Sequence, residues 1–186
     1  MNSYNQKLTR FCPQFCLLLQ FKITIMRTSF IEDKKELESI INQCDICYVG
    51  MIETDGTPYV IPMNFGYVND EVILHSGPHG KHLDLLDLNN RVCVTFCSEH
   101  SLVYQHPEVA CSYSMTSKSV LCKGAVTFIE DLTEKEEKLT ILMQNYTDRP
   151  FKYSVPALRN VKVWRVSVDE MTGKSFGQNF KTSSDL

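Results

Sequence analysis

The sequence predicts a mainly β, α+β fold, an antiparallel β-barrel with flanking helices. Three observations carry this expectation. From residue 46 onward, short extended runs alternate with turn residues, and the first three runs are joined by tight turns. Asp55-Gly56 lies between two apolar runs, a hairpin signal in which both turn positions need positive φ. Helical periodicity is confined to a few segments, whereas a doubly wound sheet needs a crossover helix after nearly every strand.

Taken in order, residues 31–44 read as a helix, with Leu37, Ile40, Ile41 and Cys44 on one face. Asp33 or Ser29 can cap it, each with a glutamate three residues on. Ile46 to Glu53 is the first strand. Pro58 to Val68 is the return strand, and Pro62 makes it an edge or a bulge because proline cannot donate to a ladder. Asn69-Asp70 turns the chain into a strand over Glu71 to Ser76, followed by the loop 77–80. Lys81 to Leu88 is a short helix stopped by Asn89-Asn90, and Arg91 to Ser98 alternates as a strand. Residues 99–110 read as irregular, and Cys111 to Glu130 as extended with a polar break at 116–118. Residues 133–146 form a helix with Thr133 and Glu136 as capping box and Leu139, Leu142, Met143 and Tyr146 on one face. Val161 to Val168 is the last strand.

With 186 residues, 43% hydrophobic and 22% charged, the chain suits one globular domain over residues 26–175. Residues 1–25 differ in character and are expected to be a poorly ordered extension before a natural start at Met26; residues 176–186 form a tail. The net charge of −3 argues against a nucleic-acid surface. Eight cysteines in a chain able to build its own core, with no clear secretory signal, are read as reduced thiols of a cytoplasmic protein.

The most informative stretch is His75-Ser76-Gly77-Pro78-His79-Gly80-Lys81-His82. A strand ends, a glycine-bounded loop follows and a helix opens at Lys81. The first turn of a helix presents unpaired N–H groups and partial positive charge, to which Lys81, His82 and Ser76 add side-chain donors. Gly80 would let the backbone approach an oxyanion closely. These residues suit a phosphate; an ordinary polar surface loop is the plainer alternative. The spacing is not that of a Walker A loop. His75, His79 and His82 also invite a metal reading, without a helical pair or an acidic fourth ligand to support it. Cys44-x-x-Cys47 and Cys93-x-x-x-Cys97 invite zinc, but positions 93 and 97 on one strand stand ~13 Å apart, too far for one tetrahedral ion. No metal site is expected. Trp164, the single tryptophan, suits a core position, although a flavin ring would also accept it.

Several motifs in order resemble the nitroimidazole-resistance (Nim-type) branch of the pyridoxamine 5'-phosphate oxidase-related proteins. They are Arg27, then Asp55-Gly56-x-Pro58-Tyr59-Val60-x-Pro62-Met63-x-Phe65-x-Tyr67, His75-Ser76-x4-Lys81-x-Leu83-Asp84-Leu85-Leu86 and Asn90-x-Val92. Cys111-Ser112-Tyr113-Ser114-Met115, Ser119-Val120-x3-Gly124 and Thr172-Gly173-Lys174 follow. The resemblance spans about residues 26–175. It implies an FMN-binding split β-barrel that works as a homodimer with flavin at the interface. By the same resemblance Pro62, Met63 and Asn64 line the isoalloxazine ring, and His75 and Ser76 flank it, His75 as the catalytic residue near its reactive face. Gly80, Lys81 and His82 hold the phosphate, and Ser112, Tyr113 and Ser119 complete the pocket, some from the second subunit. The relatives usually carry lysine where this chain has His82, so Lys81 and His82 compete for the phosphate. The implied activity is flavin-dependent reduction of nitro compounds such as nitroimidazole drugs, with His75 positioning substrate or relaying a proton. A pyridoxamine-phosphate-type oxidase and a non-catalytic flavin or haem carrier are the alternatives.

Overall fold

The computed structural model describes residues 28–177. The expected extension over 1–25, and the tail beyond 177, lie outside the described residues.

The elements are β1 (Thr28–Ile31), α1 (Lys34–Asn42), β2 (Cys47–Ile52), β3 (Pro58–Met63), β4 (Phe65–Val68), β5 (Glu71–Ser76) and α2 (Lys81–Leu88), then β6 (Arg91–Tyr104), β7 (Tyr113–Ile129), α3 (Leu132–Gln144), α4 (Val155–Asn160) and β8 (Lys162–Phe176). The strands form one antiparallel sheet in the order β3-β2-β6-β7-β8-β5-β4, with β1 added on β8. The two ends of that order are consecutive in the chain, separated by Asn64 alone. Two peptide steps span at most ~7 Å, so the sheet must curl until its edges meet. The result is a barrel with a seam at Asn64, split because β3 and β4 are not paired with each other.

Pro62 sits on β3, an edge strand, where a missing N–H costs nothing. The tightest turn is not where Asp-Gly suggests. Asn69 and Asp70 both take positive φ (48° and 62°) and join β4 directly to β5. Between β2 and β3 only Gly56 does so, and Asp55 instead accepts from the Thr57 N–H in a longer loop.

Inside the barrel lie Val49, Phe65, Val94, Phe96, Val120 and Trp164, with Phe65 and Phe96 edge to face at 4.8 Å. Asp33 caps α1 by accepting from the Lys35 N–H, and Leu37, Ile40 and Ile41 seat the helix on this core. Burying each such side chain contributes roughly 1.5–3 kcal/mol. A second cluster covers the outer face of β5 and β8: Ile73 and Val163 meet Leu139 and Leu142 of α3 and Leu158 of α4. The α3 backbone lies so close to β4 that a Cβ on Gly66 would stand 2.7 Å from Leu142 Cα, which requires glycine there.

Several expectations need correction. Ser29 belongs to β1 rather than to a cap. The α3 cap is Asp131, which accepts from the Glu134 N–H, not Thr133. The return strand breaks in two at Asn64. Residues 99–104 extend β6; a bulge between Ser98 and Ser101, with Glu99 at φ 51°, disrupts the alternation that would have revealed them. The polar run 116–118 does not break β7, because that strand is paired on both sides and Lys118 bonds Glu36 and Glu99. β8 continues to Phe176, and neither β1 nor α4 was predicted.

Candidate functional site

Helix α2 opens at Gly80 with no side-chain cap; the Leu83 N–H donates to the Gly80 carbonyl at 2.9 Å, which leaves the N–H groups of Lys81 and His82 for an outside acceptor. Gly80 has φ +148° and ψ 154°, a conformation reserved for glycine. Its missing side chain makes room for a neighbour. A Cβ there would stand 2.7 Å from His82 Cε1, so the His82 ring folds back over the glycine. His82 Nε2 is buried without a partner, and burial pushes the imidazole pKa below its ordinary value against an opposing pull from Asp84.

Lys81 points to the β2–β3 hairpin. Its ammonium pairs with Glu53 at 2.7 Å and lies 5.1 Å from the centre of the Tyr59 ring. The Glu53 hydrogen bond raises its pKa. Lys81 is exposed and Glu53 partly so, and an incoming dianion can compete for the lysine. Ser76 ends β5 four residues before Gly80, its hydroxyl donating to the adjacent Gly77 carbonyl at 3.1 Å. On the other side of the loop, Pro78, His79 and Gly80 border a cleft of about 310 Å³ that also meets Asp84, Asp87 and Lys162. Two carboxylates make that cleft a poor place for phosphate, and Lys162 is already bonded to Glu130 at 2.9 Å. An uncapped helix start, an unpartnered buried imidazole nitrogen, a locally bonded hydroxyl and a displaceable lysine fit a phosphate-bearing group on the Lys81 side.

Pro62, Met63 and Asn64 lie together at the barrel seam. Pro62 and Asn64 are exposed, and Met63 packs against the core. His75 does not join Ser76. Alternation along β5 sends Val72 and Leu74 into the barrel and Ile73 to the outer cluster, so His75 turns outward into a cavity under α3 and α4. Burial lowers its pKa as well. The three histidines therefore diverge: His75 outward, His79 exposed in the loop, His82 over Gly80.

Ser112 and Tyr113 lie at the far end of β6 and β7, where Ser112 Oγ and Tyr113 Oη bond the loop 106–109 and Tyr113 stacks on Tyr104 at 4.8 Å. From α2 to that turn β6 runs fourteen residues, roughly 40 Å. One chain cannot bring them to the α2 corner. Ser119 sits mid-β7, paired with Cys97 and Lys174. Trp164 is wholly enclosed at 0% exposure, so its ring offers no face to a cofactor and serves the core.

Two residues of the region escaped sequence reasoning. Lys135 is 3% exposed and donates to the Leu158 and Val161 carbonyls, fixing α4 to α3. Tyr153 precedes α4, with its hydroxyl buried and unpartnered. Ser154, the α4 cap, followed by Pro156 in the first turn, was the signal that a helix began there. Among the described residues, no three of His, Cys, Asp and Glu converge as metal ligands, and no helix is long and apolar enough to cross a membrane.

The family model described as pyridoxamine 5'-phosphate oxidase matches residues 33–175. A candidate 5-nitroimidazole antibiotic resistance protein of known structure from Bacteroides thetaiotaomicron is 57% identical, covering 82% of this chain and 89% of that one at a TM-score of 0.75. A flavocytochrome from Azotobacter vinelandii (21% identity, 84% of this chain and 73% of that one, TM-score 0.68) shares the fold. So does an FAD- and haem-binding protein from Mycobacterium smegmatis (18%, 85% and 77%, TM-score 0.69). No curated protein sequence matches.

Proposed function

The chain belongs to the pyridoxamine 5'-phosphate oxidase family, and from that premise we propose that it binds FMN and reduces small organic oxidants, nitro compounds among them. The observation that carries the substrate class is 57% identity to a candidate 5-nitroimidazole resistance protein over 82% of the chain. The α2 corner supports the cofactor half. The first-turn N–H groups, Ser76, Lys81 and His82 would hold the phosphate, and Pro62, Met63 and Asn64 at the seam would border the ring. When bound, the flavin supplies the electrons; the chain supplies binding, orientation and exclusion of water.

His75, its pKa lowered by burial, holds or passes a proton at Nδ1 within the cavity under α3 and α4. Ser112 and Tyr113 reach the α2 corner only from a second copy, which favours a homodimer. Tyr48, Ile52 and Val60, 49%, 50% and 57% exposed on β2 and β3, give such a copy an apolar surface to cover. Light scattering during gel filtration should return twice the chain mass.

The direct test is spectroscopic. Protein incubated with FMN and desalted should retain flavin absorbance, and after anaerobic chemical reduction the flavin should reoxidise when a nitroimidazole is added. Protein that emerges colourless ends the cofactor reading. Flavin that stays reduced with every nitro compound ends the reductase reading.

A further inference from the structure

We infer that the cavity between β5 and the α3–α4 pair is the organic-ligand pocket of this protein, built for a compact, uncharged molecule with a hydrogen-bond acceptor that Tyr153 and His75 orient. That the bound molecule receives flavin electrons rests on the reading above; the binding itself does not.

The cavity measures about 250 Å³ and is walled by Leu139, Leu142, Met143 and Leu158. That is room for about eight waters at ~30 Å³ each, or a molecule on the order of ten heavy atoms. His75 and Tyr153 also line it, and both His75 Nδ1 and Tyr153 Oη are buried without a hydrogen-bond partner. Buried polar atoms left unmet are uncommon because each forfeits its hydration. Two of them opening on one apolar chamber, from elements almost eighty residues apart, have a common explanation if a ligand meets both. The phenol can donate to an acceptor, and a neutral imidazole can donate or accept.

The walls set the charge. Lys135, the buried cation among the described residues, donates to the Leu158 and Val161 carbonyls. A carboxylate entering the chamber would lose water without gaining a counter-ion. Burial lowers the His75 pKa, which favours its neutral form, in accord with an uncharged guest. Sequence motifs did not reveal this site, because Tyr153 lies in an irregular stretch before α4.

Acetophenone and benzoate, nearly equal in size and differing in charge, make the test. Each is titrated into full-length protein, flavin-free and FMN-loaded, by calorimetry and ligand-observed NMR. Acetophenone should bind at least tenfold tighter than benzoate in both forms, Tyr153→Phe should weaken it about tenfold, and Ala157→Trp, at an exposed position bordering the cavity, should abolish binding. The wild-type comparison stands even if a variant fails to fold. Equal binding of the two probes, no binding of either, or binding that survives Ala157→Trp would overturn the inference and leave the chamber to water. Flavin retention is read separately, so loss of the cofactor reading and loss of this one are distinguishable.

Discussion

At the end of β5 consecutive residues serve opposite sides: Ser76 stands at the polar corner where α2 begins, and His75 turns into the apolar chamber beneath α3 and α4. In the corner, polar groups are exposed, paired with displaceable neighbours, or supplied by the backbone, with His82 Nε2, buried over Gly80, the exception. In the chamber, two polar atoms stand unpartnered among leucines. The difference teaches that the two sites suit different parts of a reaction. The corner suits a highly charged group that brings its own solvation energy. The chamber suits a guest that must leave water easily and is recognised by one or two directed bonds.

The sharpest way to break this division is to release α4. Lys135→Met leaves the Leu158 and Val161 carbonyls unmet and should cost about 3 kcal/mol, read by urea unfolding. FMN binding by the fraction still folded should be unchanged, because the corner does not depend on α4. A loss below about 1 kcal/mol would show that α4 is held by other means.

Changing the corner should do the reverse. Lys81→Ala with His82→Ala should weaken FMN by roughly tenfold or more while acetophenone binding stays the same, measured on one preparation. Tyr153→Phe sharpens the comparison through its sign. Removing an unpartnered buried hydroxyl should stabilise the free protein by about 1 kcal/mol even as it weakens the chamber's guest. A melting temperature that falls instead would mean the hydroxyl has a structural partner.

The smallest expected effect is on pH. The folded-state pKa values of His75 and His82 lie below 6.5, so between those values and 6.5 the unfolded chain binds more protons. Stability should therefore be full above about pH 6.5 and decline as pH falls through that window. His75→Asn should flatten part of the decline, followed by thermal melting across pH 5 to 7.5.

The corner was legible in the sequence because its parts are adjacent: Gly80, Lys81 and His82 abut a recognisable helix start, and Ser76 ends a strand. Its detail was not. The sequence could not show that Lys81 bonds Glu53 or that Gly80 makes way for His82, since these depend on how the β2–β3 hairpin and α2 meet. The barrel was legible from strand length and turn residues, and Pro62 marked the edge strand. The β6–β7 arm was hidden by the bulge at Ser98, and the chamber by distance, because His75, Leu139 and Tyr153 share no local pattern.

The central claim is that the first turn of α2 binds the cofactor's terminal phosphate. FMN and riboflavin differ by that phosphate alone, so parallel fluorescence titrations of both, on wild type and on the Lys81→Ala/His82→Ala protein, test it most directly. The expected result is FMN at least a hundredfold tighter than riboflavin in wild type, with most of that gap lost in the variant. Equal affinities in wild type, or a gap untouched by the two substitutions, would contradict it.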